Sequence, residues 1–80
     1  MERLQNKNRV AGIKQVKKAI LAQKAEAVFI AKDCDLYIIE EMENLCSENE
    51  VFVVYAETMK ELAKACRVEV PTAVAATVKE

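Results

Sequence analysis

The stretch Ala27-Val28-Phe29-Ile30-Ala31-Lys32-Asp33-Cys34-Asp35 decides the fold. Its first five residues are a continuous apolar run of strand length, rich in branched and aromatic side chains, as expected for a strand covered on both faces. The polar turn at residues 32–35 ends that run at once. Downstream, about residues 36–49 place Ile38, Met42 and Leu45 on one stripe, with Ile39 and Cys46 beside it and Glu40, Glu41 and Glu43 outward. Spacings of three and four predict an amphipathic helix. Val51-Phe52-Val53-Val54-Tyr55 repeats the buried-strand pattern, and residues 58–66 repeat the helical one through Met59, Leu62, Ala63 and Cys66. A short loop, Val68-Glu69-Val70-Pro71, holds the only proline. About residues 72–78 are apolar but alanine-rich, which suits a strand or a helix; alternation with the preceding elements favours a final strand.

Upstream, Ile13, Val16, Ala19 and Ile20 recur at helical spacing over residues 13–23, with Lys14, Gln15, Lys17 and Lys18 in other directions. Gly12 stands at the start of this helix, Arg9-Val10-Ala11 can form a brief strand before it, and residues 2–7 can make a short helical turn. The order strand, helix, strand, helix, strand, helix, strand predicts an α/β fold. We expect a three-layer α-β-α sandwich around a central mixed four-stranded sheet, with helices on both faces. Eighty residues with 52% hydrophobic content, one Gly, one Pro and no Trp fit one small domain over residues 1–80, built of regular, tightly connected elements. No segment approaches the roughly 20 apolar residues that span a bilayer. The first nine positions lack the apolar core of a signal peptide, so a cytoplasmic location away from membranes is expected.

A formal net charge of −1 hides a polarised molecule. Residues 1–24 carry seven basic side chains (Arg3, Lys7, Arg9, Lys14, Lys17, Lys18 and Lys24) against Glu2, so this third is +6 and the remainder −7. At Gly12 to Gln15 the free N–H groups and the positive end of a helix dipole meet, a setting that receives phosphate oxygens. Lys14 and Lys18 are four apart and share a face, and the adjacent Gln15 offers a donor and an acceptor to a base edge. Lys17 and Lys24 are placed for phosphate contacts. Two readings stand on this chemistry: nucleic-acid binding, or a merely solvated basic face.

Other chemistries are poorly supplied. There is no His, Ser47 is the only serine, and no phosphate loop or nucleophile elbow appears, which excludes triad catalysis. Asp33 and Asp35 could pair for acid/base work or Mg²⁺, or serve as capping and solvated-turn residues; Asp35 directly precedes Leu36 as a helix N-cap would. Glu40, Glu41 and Glu43 read as a solvated face or a partner-binding one. Cys34, Cys46 and Cys66 contain no C-x-x-C pair, which favours core or incidental thiols over a metal site or disulfide framework. No cofactor or metal is expected.

The motifs Gly12-Ile13-Lys14-Gln15-x-x-Lys18, Val28-Phe29-Ile30-Ala31-Lys32-Asp33-x-Asp35, Met59-Lys60-x-Leu62-x-Lys64-Ala65-Cys66 and Val68-Glu69-Val70 resemble, in that order, the L7Ae/L30e family of ribosomal and kink-turn RNA-binding proteins. The match spans nearly the whole chain. The family usually shows Gly-x-Asn-Glu-x-x-Lys in the first motif; the Lys-Gln pair is similar to the small bacterial L7Ae-like branch. The resemblance implies a non-enzymatic protein that binds RNA carrying a bulge and tandem sheared G·A pairs and stabilises its kinked form. It assigns Lys14 and Gln15 to base edges and Lys18 to a guanine or phosphate, with Gly12 allowing close approach and Ile13 and Lys32 in the matching motifs. Asp35 and Ile39 match contacts to a flipped-out bulge nucleotide, and Val68, Glu69 and Val70 match the loop lying against the bulge. Side chains can read that major groove only because the bulge opens it.

Three departures bear on this site. Leu36 replaces a common Pro, Ala63 stands where Gly is usual, and Arg67 replaces the Gly that commonly ends the third helix. A missing C-cap glycine demands either a left-handed arginine or a different loop path. The expected partner is structured RNA, ribosomal or a riboswitch-type leader, bound by a chain that is monomeric when free. The competing expectation is a protein-interaction domain of the same fold using the acidic helix face or a cysteine-bearing surface.

Overall fold

The computed structural model describes residues 8–79; the helical turn expected at residues 2–7 lies outside them. Within that range, elements follow in the expected order: β1 (Arg9–Ala11), α1 (Ile13–Leu21), β2 (Ala25–Ala31), α2 (Leu36–Glu48), β3 (Phe52–Ala56), α3 (Met59–Cys66) and β4 (Val74–Val78). The four strands form one mixed sheet in the order β1-β4-β2-β3. β2 and β3 run parallel, with Ile30 opposite Tyr55, while β4 is antiparallel to both β1 and β2. The alanine-rich last segment is therefore a central strand.

Side-chain alternation along the strands sorts the core into two layers. Val28 and Ile30 of β2 and Val74 and Ala76 of β4 face α1 and α2, where Val16, Ile20, Met42 and Cys46 meet them. Ala27, Phe29 and Ala31 of β2, Ala75 of β4 and Ala56 of β3 face α3, chiefly Leu62, Ala65 and Cys66. The small residues of β4 let helices approach the sheet closely on both sides. The run at β2 is covered on both faces, as its composition predicts.

The similar run at Val51 to Tyr55 is only partly covered: Val53 packs on the α1/α2 side and Val54 on the α3 side. β3 is an edge strand, with Phe52 74% exposed and Tyr55 44% exposed. Val54 and Ala56 pack with α3, whereas Phe52, at the other end of β3, lies outside both core layers. Composition marks a strand here; its place at the rim depends on β4 taking the position beside β2.

Boundaries moved where turns needed left-handed residues. α1 stops at Leu21 because Gln23 adopts φ 60°, and the Lys24 N–H then donates to the Ala19 carbonyl (2.9 Å), bringing the chain into β2 at Ala25. Cys46 is buried between α2 and the sheet, and burial pushes its thiol from 9.0 up to about 11. The folded state holds this proton more tightly than the unfolded chain does. The resulting stability is constant below about pH 9 and is lost as pH rises toward 11. Thermal melts are expected to show Tm falling through that alkaline window, with a shallower fall in Cys46→Ala; equal slopes would refute the assignment.

Candidate nucleic-acid interface

Strand direction gathers the expected site residues at one end of the sheet. β1, β2 and β3 all finish there, and β4, antiparallel to β1 and β2, begins there. The Gly12 N–H donates to the Val74 carbonyl (3.0 Å), Ala31 to Ala73 (2.9 Å) and Lys32 to Ala56 (2.8 Å). The first two bonds seat the start of β4 between the start of α1 and the end of β2, and the third ties the turn after β2 to the end of β3. A groove of about 380 Å³ results, in which Gly12 and Ile13 face Val68, Val70, Pro71 and Thr72. Residues almost sixty positions apart thus line one concavity.

The mouth of α1 is open. Gly12 has φ 99° and ψ 148°, a conformation essentially confined to glycine, where an L side chain would cost about 1–3 kcal/mol. No side chain caps the helix, and its first turn closes through Val16 N–H to the Gly12 carbonyl (3.0 Å). Lys14, Gln15 and Lys18 are exposed, and neither lysine makes an ion pair within the described residues. Gln15 and Lys18 also rim a second groove of about 310 Å³ floored by Val10, Ala19 and Val78, with Lys24 across it. Lys17 is different: it pairs with Glu41 of α2 (2.5 Å), which holds that carboxyl below the usual range. Its charge is already balanced.

The two aspartates separate in role. Asp33 Oδ1 accepts from the Met59 N–H (2.7 Å) and so caps α3, while Thr58 Oγ1 accepts from the Glu61 N–H (3.0 Å). Asp35 occupies the N-cap position of α2 but makes no side-chain cap; Ile38 and Ile39 N–H groups donate to its backbone carbonyl instead (3.0 and 3.1 Å). The capping carboxylate of this turn is therefore Asp33, acting on α3, rather than the expected Asp35 on α2, and the exposed Asp35 carboxylate is left available. Lys32 pairs with Glu57 across the same turn (3.3 Å). Ile13 and Ile39, both half-buried, pack in the same apolar layer beneath the two helix starts.

Arg67 takes the left-handed option, with φ 60° and ψ 38°. Val68 N–H donates to the Ala63 carbonyl (3.0 Å) and Arg67 N–H to Lys64 (3.1 Å), the two bonds of a Schellman closure made without glycine. Arg9 Nε donates to the Cys66 carbonyl (3.1 Å), placing a cation at the negative end of α3. Buried Thr72 holds the far side of the loop through its N–H to the Met59 carbonyl (3.2 Å). Val68, Glu69 and Val70 consequently stand exposed on a braced loop. Sequence reasoning allowed Asp33 a capping role but not its target, α3, and missed the Arg9 tie and the Lys17–Glu41 pair. Thr58-x-x-Glu61 was the one local signal available, a capping-box spacing.

The profile of the ribosomal protein L7Ae/L30e/S12e/Gadd45 family matches residues 2–80. An RNA-binding protein of Caldanaerobacter subterraneus subsp. tengcongensis is 41% identical over 70 residues, which are 88% of this chain and 85% of that one. The RNA-binding protein YbxF of Geobacillus stearothermophilus is 37% identical over 70 residues, again 88% of this chain and 85% of that one. Among solved structures, the Giardia lamblia 15.5kD RNA binding protein matches with a TM-score of 0.86 at 30% identity, over 99% of this chain and 67% of that one.

Proposed function

The chain belongs to the ribosomal protein L7Ae/L30e/S12e/Gadd45 family, and on that premise we propose that it is a non-enzymatic RNA-binding protein that recognises kink-turns. The observation that carries this reading is the open mouth of α1, whose Gly12 and Ile13 share one groove with the apolar Val68 and Val70 while Lys14, Gln15 and Lys18 stand exposed on the same helix. Lys14 and Gln15 reach base edges in the widened groove of the bulge, Lys18 takes a guanine or phosphate, and Gly12 admits the backbone closely. The free Asp35 carboxylate accepts from the N–H of an extruded base, with Ile39 below it. Lys32, Val68, Glu69 and Val70 border the bulge, and the acidic Glu69 penalises RNA that follows another path.

The protein acts on shape. RNA exchanges between extended and kinked forms, and a ligand shifts that balance only by its differential affinity for the two. The acidic-face alternative is weakened by internal bonding: Glu41 pairs with Lys17, and the Tyr55 hydroxyl donates to Glu43. The test is a titration of kink-turn RNA against a duplex of matching composition without the bulge. Clear preference for the kink-turn is expected. Equal weak binding to both would leave generic electrostatics, and no binding would turn attention to a protein partner.

A further inference from the structure

The chain has four aromatic residues, two Tyr and two Phe. Phe29 is buried, Phe52 opens β3 at the end of the sheet away from the grooved loop, and the Tyr55 hydroxyl is bonded to Glu43 midway along α2. Tyr37 is left, in the first turn of α2, two residues past Asp35 and 74% exposed.

Its surroundings are ordered. α1 and α2 both start at the site end of the sheet, so they run side by side in the same sense, and the Lys17–Glu41 pair bridges them about one turn in. One turn back toward the helix starts lie Ile13 and Lys14 on α1 and Tyr37 on α2. Glu41, which Lys17 holds, lies one helical turn on from Tyr37 along the same face of α2. The ring therefore stands one turn from a fixed ion pair that joins the two helices, with most of its surface open to solvent.

We infer that Tyr37 is a stacking platform for an unpaired nucleobase of the bound RNA, seated beside Lys14 at the joint mouth of α1 and α2. The inference rests on the kink-turn reading and adds to it a contact that no side chain named there supplies. Stacking on an aromatic face is tolerant of base identity, because every base has a π-face. The neighbouring charge suits an RNA: Lys14 is without an ion pair in the described residues, and Glu41 is balanced by Lys17, so that carboxylate does not stand unbalanced against phosphate. The adjacent Leu36 is exposed too and widens the apolar surface around the ring.

The test uses the full chain and a kink-turn RNA carrying 2-aminopurine at each unpaired position in turn, with Tyr37→Phe and Tyr37→Leu. Quenching is expected at one position with the parent and with Tyr37→Phe, and is lost with Tyr37→Leu. Affinity should fall roughly 5- to 100-fold in the leucine variant only. The salt slope should not change, since no cation is removed. Parent-like affinity and quenching in Tyr37→Leu overturn the platform, and so does an equal loss in Tyr37→Phe, which would assign the effect to the hydroxyl rather than the ring face. A parent with no preference for the kink-turn over the bulge-free duplex overturns the functional reading and the platform together, whereas a retained preference with an indifferent Tyr37→Leu overturns the platform alone.

Discussion

The Lys14→Ala/Gln15→Ala double variant is expected to bind kink-turn RNA about 100-fold more weakly while melting at the parental temperature. Each well-made side-chain bond to a base edge is worth about 1–3 kcal/mol of discrimination, and the two residues are adjacent, so their effects will not add fully. Both side chains are exposed and bury no core surface, which separates binding from stability. Removing one cation should also flatten the dependence of log K on log salt by about 0.7 to 0.9 for each phosphate that is no longer neutralised. Lys17→Ala is the internal comparison. Its ammonium is paired with Glu41, so its removal should change affinity by no more than about threefold if that pair persists in the complex. Gel shifts across salt concentrations measure both quantities. A double variant that binds as the parent does would refute the placement of the α1 mouth on RNA.

Leu62→Ala is expected to remove about 3–5 kcal/mol of folding stability, read from urea unfolding at a fixed slope. Leu62 is fully buried, and the sheet face beneath it is made largely of alanines: Ala27, Ala31, Ala56 and Ala75. Short side chains cannot move in to fill the space, so the cavity persists and the cost sits toward the upper end. A domain of this length has about 4–12 kcal/mol in total. The variant should therefore be marginal, with Tm lowered by roughly 15 °C or more. RNA binding should weaken as well, because Thr72 and Val68 are tied to Met59 and Ala63 of the same helix. A loss below about 1.5 kcal/mol would show instead that α3 settles onto the sheet without its leucine.

Much of the fold was legible residue by residue. Helical periodicity, the apolar run at residues 27–31 and the single glycine ahead of Ile13 each act over one or two turns of chain. That is the range over which local sequence controls backbone conformation. The site was legible in a weaker sense: the basic tract, Asp35 and the valine loop were identifiable as separate signals, and the family resemblance joined them. Their neighbours were misread where a partner was distant. Asp33 caps a helix start 26 residues away, and Arg9 closes a helix end 57 residues away. Nothing within a turn of either residue announces such a bond.

By itself, then, the sequence determined the order of the elements, the type of all but the alanine-rich last one, the charge asymmetry and the basic start of α1. Tertiary structure decided the rest. With β4 inserted antiparallel between β1 and β2, β3 became an edge despite its core-like composition, and the loop at residues 68–71 was brought against Gly12. The same packing neutralised Lys17 while leaving Lys14 and Lys18 without ion pairs among the described residues. Strand order and charge pairing depend on which distant surfaces meet, and burial of both sheet faces settles that only once the whole chain has folded.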